Sequence, residues 1–107
     1  MTPRQRFNLI YAPEVKQHLR AIARKYHTLI RREIEAQLQF EPDVETKNRK
    51  PLMQPTTLEA EWEIRFGPNN RFRVFYEVHR EQGEVYVLAI GVKQRDRLLI
   101  GGEEIEL

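Results

Sequence analysis

The residues best suited to chemistry are two arginines on strands predicted to be neighbours. Apolar and polar residues alternate in Trp62–Phe66 and again in Phe72–Val78, which is the two-residue period of a strand with one buried face. Because the apolar residues of both strands must share the buried face, the simplest register places Arg65 opposite Arg73 on the other face. Two like charges in opposing positions are destabilising unless an anion lies between or above them.

The next strand extends this pattern. Val85–Val92 is apolar at nearly every position, which predicts a central strand. The same parity places Ala89 beside Arg73, with Gly91 and Lys93 further along that face. Since alanine and glycine leave room, we expect a shallow electropositive dish that fits a phosphate group. The alternative is a structural salt-bridge ladder, for which the same face offers three carboxylates: Glu61, Glu63 and Glu77.

Phosphate chemistry also needs proton transfer. Cleavage of RNA by its own 2′-hydroxyl requires a base, cations for the phosphorane and an acid for the departing oxygen. The candidates for the proton steps are a lysine with a depressed pKa and four named residues: His79, Glu63, Glu77 and Tyr76. The chain has no cysteine, and its histidines and carboxylates lack metal-ligand spacing. We therefore expect no metal and no small-molecule cofactor.

The elements that position these residues follow from the apolar spacing. Alternation over Phe7–Tyr11 predicts a first strand. Helical spacing predicts one helix from Pro13 to about Tyr26, and a second that Thr28 caps and that closes at Phe40. The order is β-α-α-β-β-β, an α+β fold with a helical hairpin packed on one face of a mainly antiparallel sheet and the other face open.

Cations also occur outside the predicted strand pair. The segment Glu41–Thr57 has no periodicity and carries a basic cluster, which is typical of a functional loop. Leu98–Ile100 is predicted to form a short edge strand or a packed tail. The cations that we expect to hold an RNA backbone are Lys47, Arg49, Lys50, Arg71 and Arg95.

Length and charge limit the remaining possibilities. A chain of 107 residues predicts a single domain over residues 1–107. No apolar run approaches the roughly 20 residues that span a bilayer, and residues 1–6 do not open a signal peptide, so we expect a cytoplasmic protein without membrane contact.

Residues 1–32 hold eight basic side chains and one acidic one, residues 33–46 hold five acids, and the tail after Gly102 is acidic again. Such segregation favours a polyanion or an oppositely charged partner chain.

The strand sequences resemble those of the RelE/ParE superfamily of toxins. The resemblance rests on the order of elements, on Arg73-Val74-Phe75-Tyr76 and on Ile90-Gly91-Val92-Lys93. It implies a type II toxin–antitoxin toxin that a cognate antitoxin holds inactive, in a system linked to plasmid stabilisation. RelE-like members cut messenger RNA at the ribosome without a metal and so inhibit translation, whereas ParE-like members poison DNA gyrase.

The resemblance also assigns roles to residues. Arg65 falls where the family has a catalytic lysine, Arg73 on the arginine that contacts the scissile phosphate, and Lys93 on a second basic position. Leu99 occupies the place of the C-terminal tyrosine or histidine that many ribonuclease members use. The preferred prediction is a ribosome-dependent, metal-independent endoribonuclease. The alternative is a ParE-like gyrase inhibitor or a non-catalytic binding protein of the same fold.

Overall fold

The computed structural model of the protein describes residues 5–53 and 59–106. Two helices and seven strands make up the fold in these ranges. In chain order they are β1 Asn8–Tyr11, α1 Val15–Arg20, α2 His27–Leu38, β2 Arg49–Pro51, β3 Trp62–Phe66, β4 Phe72–His79, β5 Glu84–Gln94, β6 Arg97–Ile100 and β7 Glu103–Ile105. Single 3₁₀ turns precede α2 and β4, at Arg24–Tyr26 and Pro68–Asn70.

The strands form one mixed sheet in which β5 is central, as predicted. The hydrogen-bonded order is β2-β3-β4-β5-β6-β7, and all these pairs are antiparallel. β1 runs parallel to the first half of β5, while β6 pairs with its second half. The α+β class and the mainly antiparallel sheet are thus confirmed.

The main core lies between the helices and one face of the sheet. Helix residues such as Ile30, Ile34 and Leu38 are buried there against Ile64 and Val74 of the sheet. These side chains follow the spacings expected of a one-sided helix and a one-sided strand. Burial of this face fixes which strand residues must point to the opposite face.

The first helix is shorter than predicted. It ends at Arg20, and Ala23 has an extended backbone, with φ −52° and ψ 134°. The Nε2 of His27 lies 2.8 Å from the carbonyl oxygen of Leu19 and 2.9 Å from that of Ile22. Because carbonyl oxygens only accept, Nε2 donates to both and caps the end of α1. The prediction that Thr28 caps α2 is also wrong, since α2 already begins at His27, without a side-chain cap.

The face opposite the helices is not left open. Phe75 and Ala89 are fully buried there, together with Ala60 and Ile100. Two short strands that were not predicted, β2 and β7, extend the sheet at its two ends. β6 is therefore not an edge strand, because β7 pairs along its outer side. Among the described residues, no helix is long and apolar enough to cross a membrane.

Candidate phosphate-binding site

The predicted pair of arginines is present. The register of β3 and β4 places Arg65 opposite Arg73. The neighbouring residues of both strands, Ile64 and Val74, belong to the core under the helices. Both arginines therefore lie on the face away from the helices, as the sequence predicts.

Glu63 is the group that lies between the two like charges. Its Oε1 accepts a hydrogen bond from Arg65 Nε at 2.6 Å and another from Arg73 Nη1 at 3.5 Å. The side chains of Glu63 and Arg73 are only 6% and 10% exposed, whereas that of Arg65 is 44% exposed. One carboxylate is thus shared by two guanidinium groups, and Arg65 remains accessible from solvent.

Arg73 is held rigidly. Its Nε donates to the carbonyl oxygen of Asn70 at 3.0 Å, in the turn that precedes β4. Burial lowers the pKa of Arg73, Glu63 partly restores it, and Arg65 lowers it further. An arginine nevertheless stays protonated in proteins, so β4 carries a fixed and partly desolvated positive charge.

The void predicted beside Arg73 is filled. A register shift between Phe75 and Tyr76 places Gly91 opposite Arg73, and Ala89 opposite Phe75 instead. A Cβ at Gly91 would lie 3.0 Å from side chains of β6, so β6 occupies the space that the small residues leave. The expectation that Ala89 and Gly91 open a dish is therefore wrong.

An open cleft of about 440 Å³ is found instead towards the end of β7. We call it the arginine cleft. Its cationic lining residues are Arg73, Lys93 and Arg97. Its acidic lining residues are Glu63, Asp96, Glu104 and Glu106. Because acidic as well as cationic residues line it, the cleft is of mixed charge and is not the expected electropositive dish.

Three of the lining residues were not singled out in the sequence: Asp96, Arg97 and Ile105. Two others, Glu104 and Glu106, were noted there only as part of an acidic tail. Glu104 lies in β7 and approaches Arg97 to 4.0 Å. The acidic tail and the turn residues Gly101 and Gly102 were the available signal, because a tight turn there folds the tail back along β6.

The loop cations divide into two kinds. Lys47 and Lys50 are exposed, and Lys50 Nζ lies 3.1 Å from Glu45. Arg49 is buried, and its guanidinium donates to the carbonyl oxygen of Val44 at 3.0 Å and to Gln37 on α2 at 2.7 and 2.8 Å. The RNA contact expected of Arg49 is therefore not retained, since this side chain anchors the loop to the helix.

The two other predicted RNA ligands lie outside the cleft lining. Arg71 stacks over the rings of Tyr26 and Phe72, at 5.4 and 5.5 Å from their centroids, on the helix side of the sheet. These contacts are cation–π interactions, so the guanidinium group of Arg71 is already engaged by the two rings. Arg95 is exposed in the turn between β5 and β6, with a positive φ of 55°.

Most candidate proton-transfer groups lie away from the arginine cleft. His79 pairs with Glu77 at 2.9 Å at the opposite end of β4 from Arg73, about 20 Å along the strand. The hydroxyl of Tyr76 is buried and donates to the carbonyl oxygen of Pro42 at 2.6 Å, and burial raises its pKa well above the ordinary value.

The two remaining positions relevant to proton transfer are Leu99 and Glu63. Leu99 pairs with Val92, whose side chain belongs to the core on the helix side, so position 99 faces away from Arg73. Glu63 is then the carboxylate nearest to both arginines among the described residues. Within the described ranges no three histidine, aspartate or glutamate side chains are grouped as metal ligands.

Comparison with solved structures places the fold in a known class. The chain is similar to a chain in the crystal structure of the toxin–antitoxin complex RelBE2 from Mycobacterium tuberculosis. The TM-score is 0.62 at 17% sequence identity, over 82% of this chain and 99% of that chain. At this identity the likeness shows the fold alone, which is that of the RelE/ParE class.

A family model gives the more specific result. Residues 9–97 match the model described as ParE toxin of type II toxin–antitoxin system, parDE. The chain therefore belongs to this toxin family, and the RelE/ParE assignment made from the strand sequences is confirmed. No curated protein matches the chain in sequence.

Proposed function

We propose that this toxin is a metal-independent endoribonuclease that cuts messenger RNA at the ribosome and so inhibits translation. The observation that carries the proposal is the sharing of one Glu63 oxygen by Arg65 and Arg73. A carboxylate held between two guanidinium groups on one face of a sheet combines a proton acceptor with cations for a phosphorane.

The proposed reaction uses three residues of the arginine cleft, Glu63, Arg73 and Lys93. It also uses Arg65, which lies outside the cleft lining and donates to Glu63. Glu63 takes the proton from the RNA 2′-hydroxyl, and the freed 2′-oxygen attacks the adjacent phosphorus. Arg65 and Arg73 neutralise the phosphorane, since fixed donors act most strongly in a partly desolvated site. The bond to the 5′-oxygen breaks, a 2′,3′-cyclic phosphate forms, and the ammonium group of Lys93 supplies the proton to the departing oxygen. Lys47, Lys50 and Arg95 are exposed and are proposed to hold the flanking RNA backbone.

The test is message cleavage on purified ribosomes, followed by primer extension in the presence of EDTA. Arg73→Gln is expected to lower the cleavage rate by about 100-fold or more, the typical effect of losing one oxyanion donor. Arg31→Gln is the matched control, because Arg31 is exposed on α2, where it pairs with Glu35. An Arg73→Gln protein that cleaves at the wild-type rate would contradict the proposal.

A second candidate is binding to DNA gyrase without catalysis. It is favoured by the absence of a histidine or tyrosine from the cleft lining among the described residues, and by the description of the matched family. Inhibition of DNA supercoiling by purified gyrase, with messages left intact, would establish this function and exclude the ribonuclease.

We also propose that the protein binds a cognate antitoxin, as its structural neighbour is part of a toxin–antitoxin complex. The apolar run Leu98–Ile100 suits an antitoxin segment by its composition, but its outer edge is covered by β7. An apolar groove of about 550 Å³ between α1 and α2 is the better surface, and it includes Leu19 and Ile34 together with the exposed ring of Tyr11.

The antitoxin surface is tested by co-purification with the small acidic protein that we expect to be encoded next to the toxin. Tyr11→Asp is expected to abolish co-purification, because it places a charge in the apolar groove. Met53→Asp is the control, since Met53 is an exposed apolar residue outside the groove lining. Equal co-purification of both variants would exclude the groove.

A further inference from the structure

Two cations share one aromatic ring at the end of the sheet where β4 begins. The Nζ of Lys25 lies 5.2 Å from the centroid of the Tyr26 ring, and the Cζ of Arg71 lies 5.4 Å from the same centroid. We call these three residues the tyrosine cluster. Its two like charges are within roughly one Debye length of each other at about 0.1 M salt. Within residues 5–53 and 59–106, neither cation forms an ion pair with a carboxylate, so the cluster favours an anion.

The guanidinium group of Arg71 is held in place while its N–H groups remain available. The backbone amide of Arg71 donates to the carbonyl oxygen of Pro68 at 3.1 Å, and the guanidinium also lies 5.5 Å from the centroid of the Phe72 ring. Ring contacts use the face of a guanidinium, whereas its five N–H groups point outwards in its plane. Stacking on the rings is therefore compatible with donation to a phosphate, and the exposed Lys25 supplies a second donor.

The tyrosine cluster is joined to the arginine cleft through two consecutive residues. The carbonyl oxygen of Asn70 accepts from Arg73 Nε at 3.0 Å, and that of Arg71 accepts from the Lys93 amide at 2.7 Å. Arg71 and Arg73 are two residues apart, about 7 Å along an extended chain. Because the cluster lies on the helix side and Arg73 on the other, a strand bound to both passes round the start of β4, beside the exposed Lys93.

We infer that the tyrosine cluster is a second phosphate-binding site, which holds the messenger RNA strand where it leaves the arginine cleft. A single strand presents a row of phosphates and is flexible enough to follow a line of cations round the end of the sheet. The inference rests on the proposed function, since the same RNA occupies both sites, and it adds the path of the strand. An acidic segment of a protein partner is the competing occupant.

The experiment measures binding of a fluorescein-labelled 12-nucleotide 2′-O-methyl RNA by fluorescence anisotropy over a range of salt concentrations. Lys25→Gln and Arg71→Gln are each expected to lower the slope of log affinity against log salt by about 0.7, the effect of one lost phosphate contact. At about 50 mM salt this corresponds to an affinity about eightfold weaker for each variant.

Arg6→Gln is the matched control, because it removes the same charge from an exposed arginine far from the cluster. The amide of Asn8, two residues further on, donates to Gly83 in the turn that follows β4, so Arg6 lies near the opposite end of that strand. At such a distance the charge is largely screened, and the affinity is expected to change by less than about twofold.

Arg71→Gln also removes packing on two rings, so two more observations separate its charge from the fold. Lys25 is exposed, and Lys25→Gln therefore tests the cluster without a buried change. Arg71→Lys keeps the positive charge and loses the planar group, and it is expected to keep the wild-type salt slope. A slope as low in Arg71→Lys as in Arg71→Gln would show that Arg71 acts through packing, which would overturn the inference.

The outcomes separate the second site from the proposed function. If Lys25→Gln and Arg71→Gln bind RNA with the affinity and salt slope of the wild type, the second site is wrong while the ribonuclease proposal stands. If both variants lose RNA binding as expected but the wild type does not cut messages, the second site stands and the ribonuclease fails. If the variants keep RNA binding and lose co-purification with the antitoxin, the occupant is a protein and the inference is overturned. If no form binds RNA, both proposals fail.

Discussion

The substitution Glu63→Gln tests the shared carboxylate through the stability of the fold. Removal of one partner from a buried ion pair costs about 3–5 kcal/mol, whereas an exposed pair contributes less than about 1 kcal/mol. The pair of Glu63 with Arg73 is buried. The pair of Glu63 with Arg65, whose side chain is 44% exposed, is closer to an exposed pair. Glutamine also keeps an oxygen that can accept from Arg65. We therefore expect the free energy of unfolding to fall by about 2–3 kcal/mol.

The assay is urea unfolding followed by circular dichroism at neutral pH. Glu35→Gln is the matched control, because Glu35 forms an exposed pair with Arg31 at 3.7 Å and its loss is expected to cost less than about 0.5 kcal/mol. In a double-mutant cycle, Glu63→Gln combined with Arg73→Gln is expected to cost less than the sum of the two single changes. A Glu63→Gln protein within about 0.5 kcal/mol of wild type would refute the reasoning.

Two further predictions concern the scaffold. Tyr76→Phe is expected to lower the free energy of unfolding by about 1–2 kcal/mol, because the carbonyl oxygen of Pro42 loses its buried donor; unchanged urea unfolding would contradict this. Burial lowers the pKa of His18, with a partial opposing effect from Glu14, and its Nδ1 accepts from the Ile90 amide. His18 should therefore contribute its full stability above its ordinary pKa of about 6.5 and lose it as the pH falls towards the lower pKa of the folded state. Unfolding measured between pH 7 and pH 5 should be less pH-dependent for His18→Gln, and an equal dependence in both proteins would exclude this role.

The strand register was predictable because it follows from a short-range rule. Alternating apolar residues in β3 and β4 must share the core face, and the simplest register that meets this rule places Arg65 opposite Arg73. Glu63 lies on the same face by the same parity, and the sequence already suggested it as a partner. The sequence could not show that both arginines share one oxygen of Glu63, because this contact depends on side-chain conformations.

The errors came from tertiary contacts. Apolar spacing continues through the 3₁₀ turn at Arg24–Tyr26, but the cap from His27 ends α1 six residues earlier than predicted. β2 and β7 have three residues each, too few for a period to be recognised. The run Leu98–Ile100 is apolar at every position and therefore shows no alternation. The sequence could not reveal that Leu98 and Ile100 fill the space beside Gly91.

The most direct test of the central claim is an NMR titration of the arginine side-chain Nε–H signals with a non-cleavable 2′-O-methyl RNA. The wild-type protein is the sample, because both arginines then keep their shared partner Glu63. The account predicts that the signals of Arg65 and Arg73 shift together with one dissociation constant. If both signals stay unchanged while those of arginines on α1 and α2 shift, RNA binds to the helix side and the claim is contradicted.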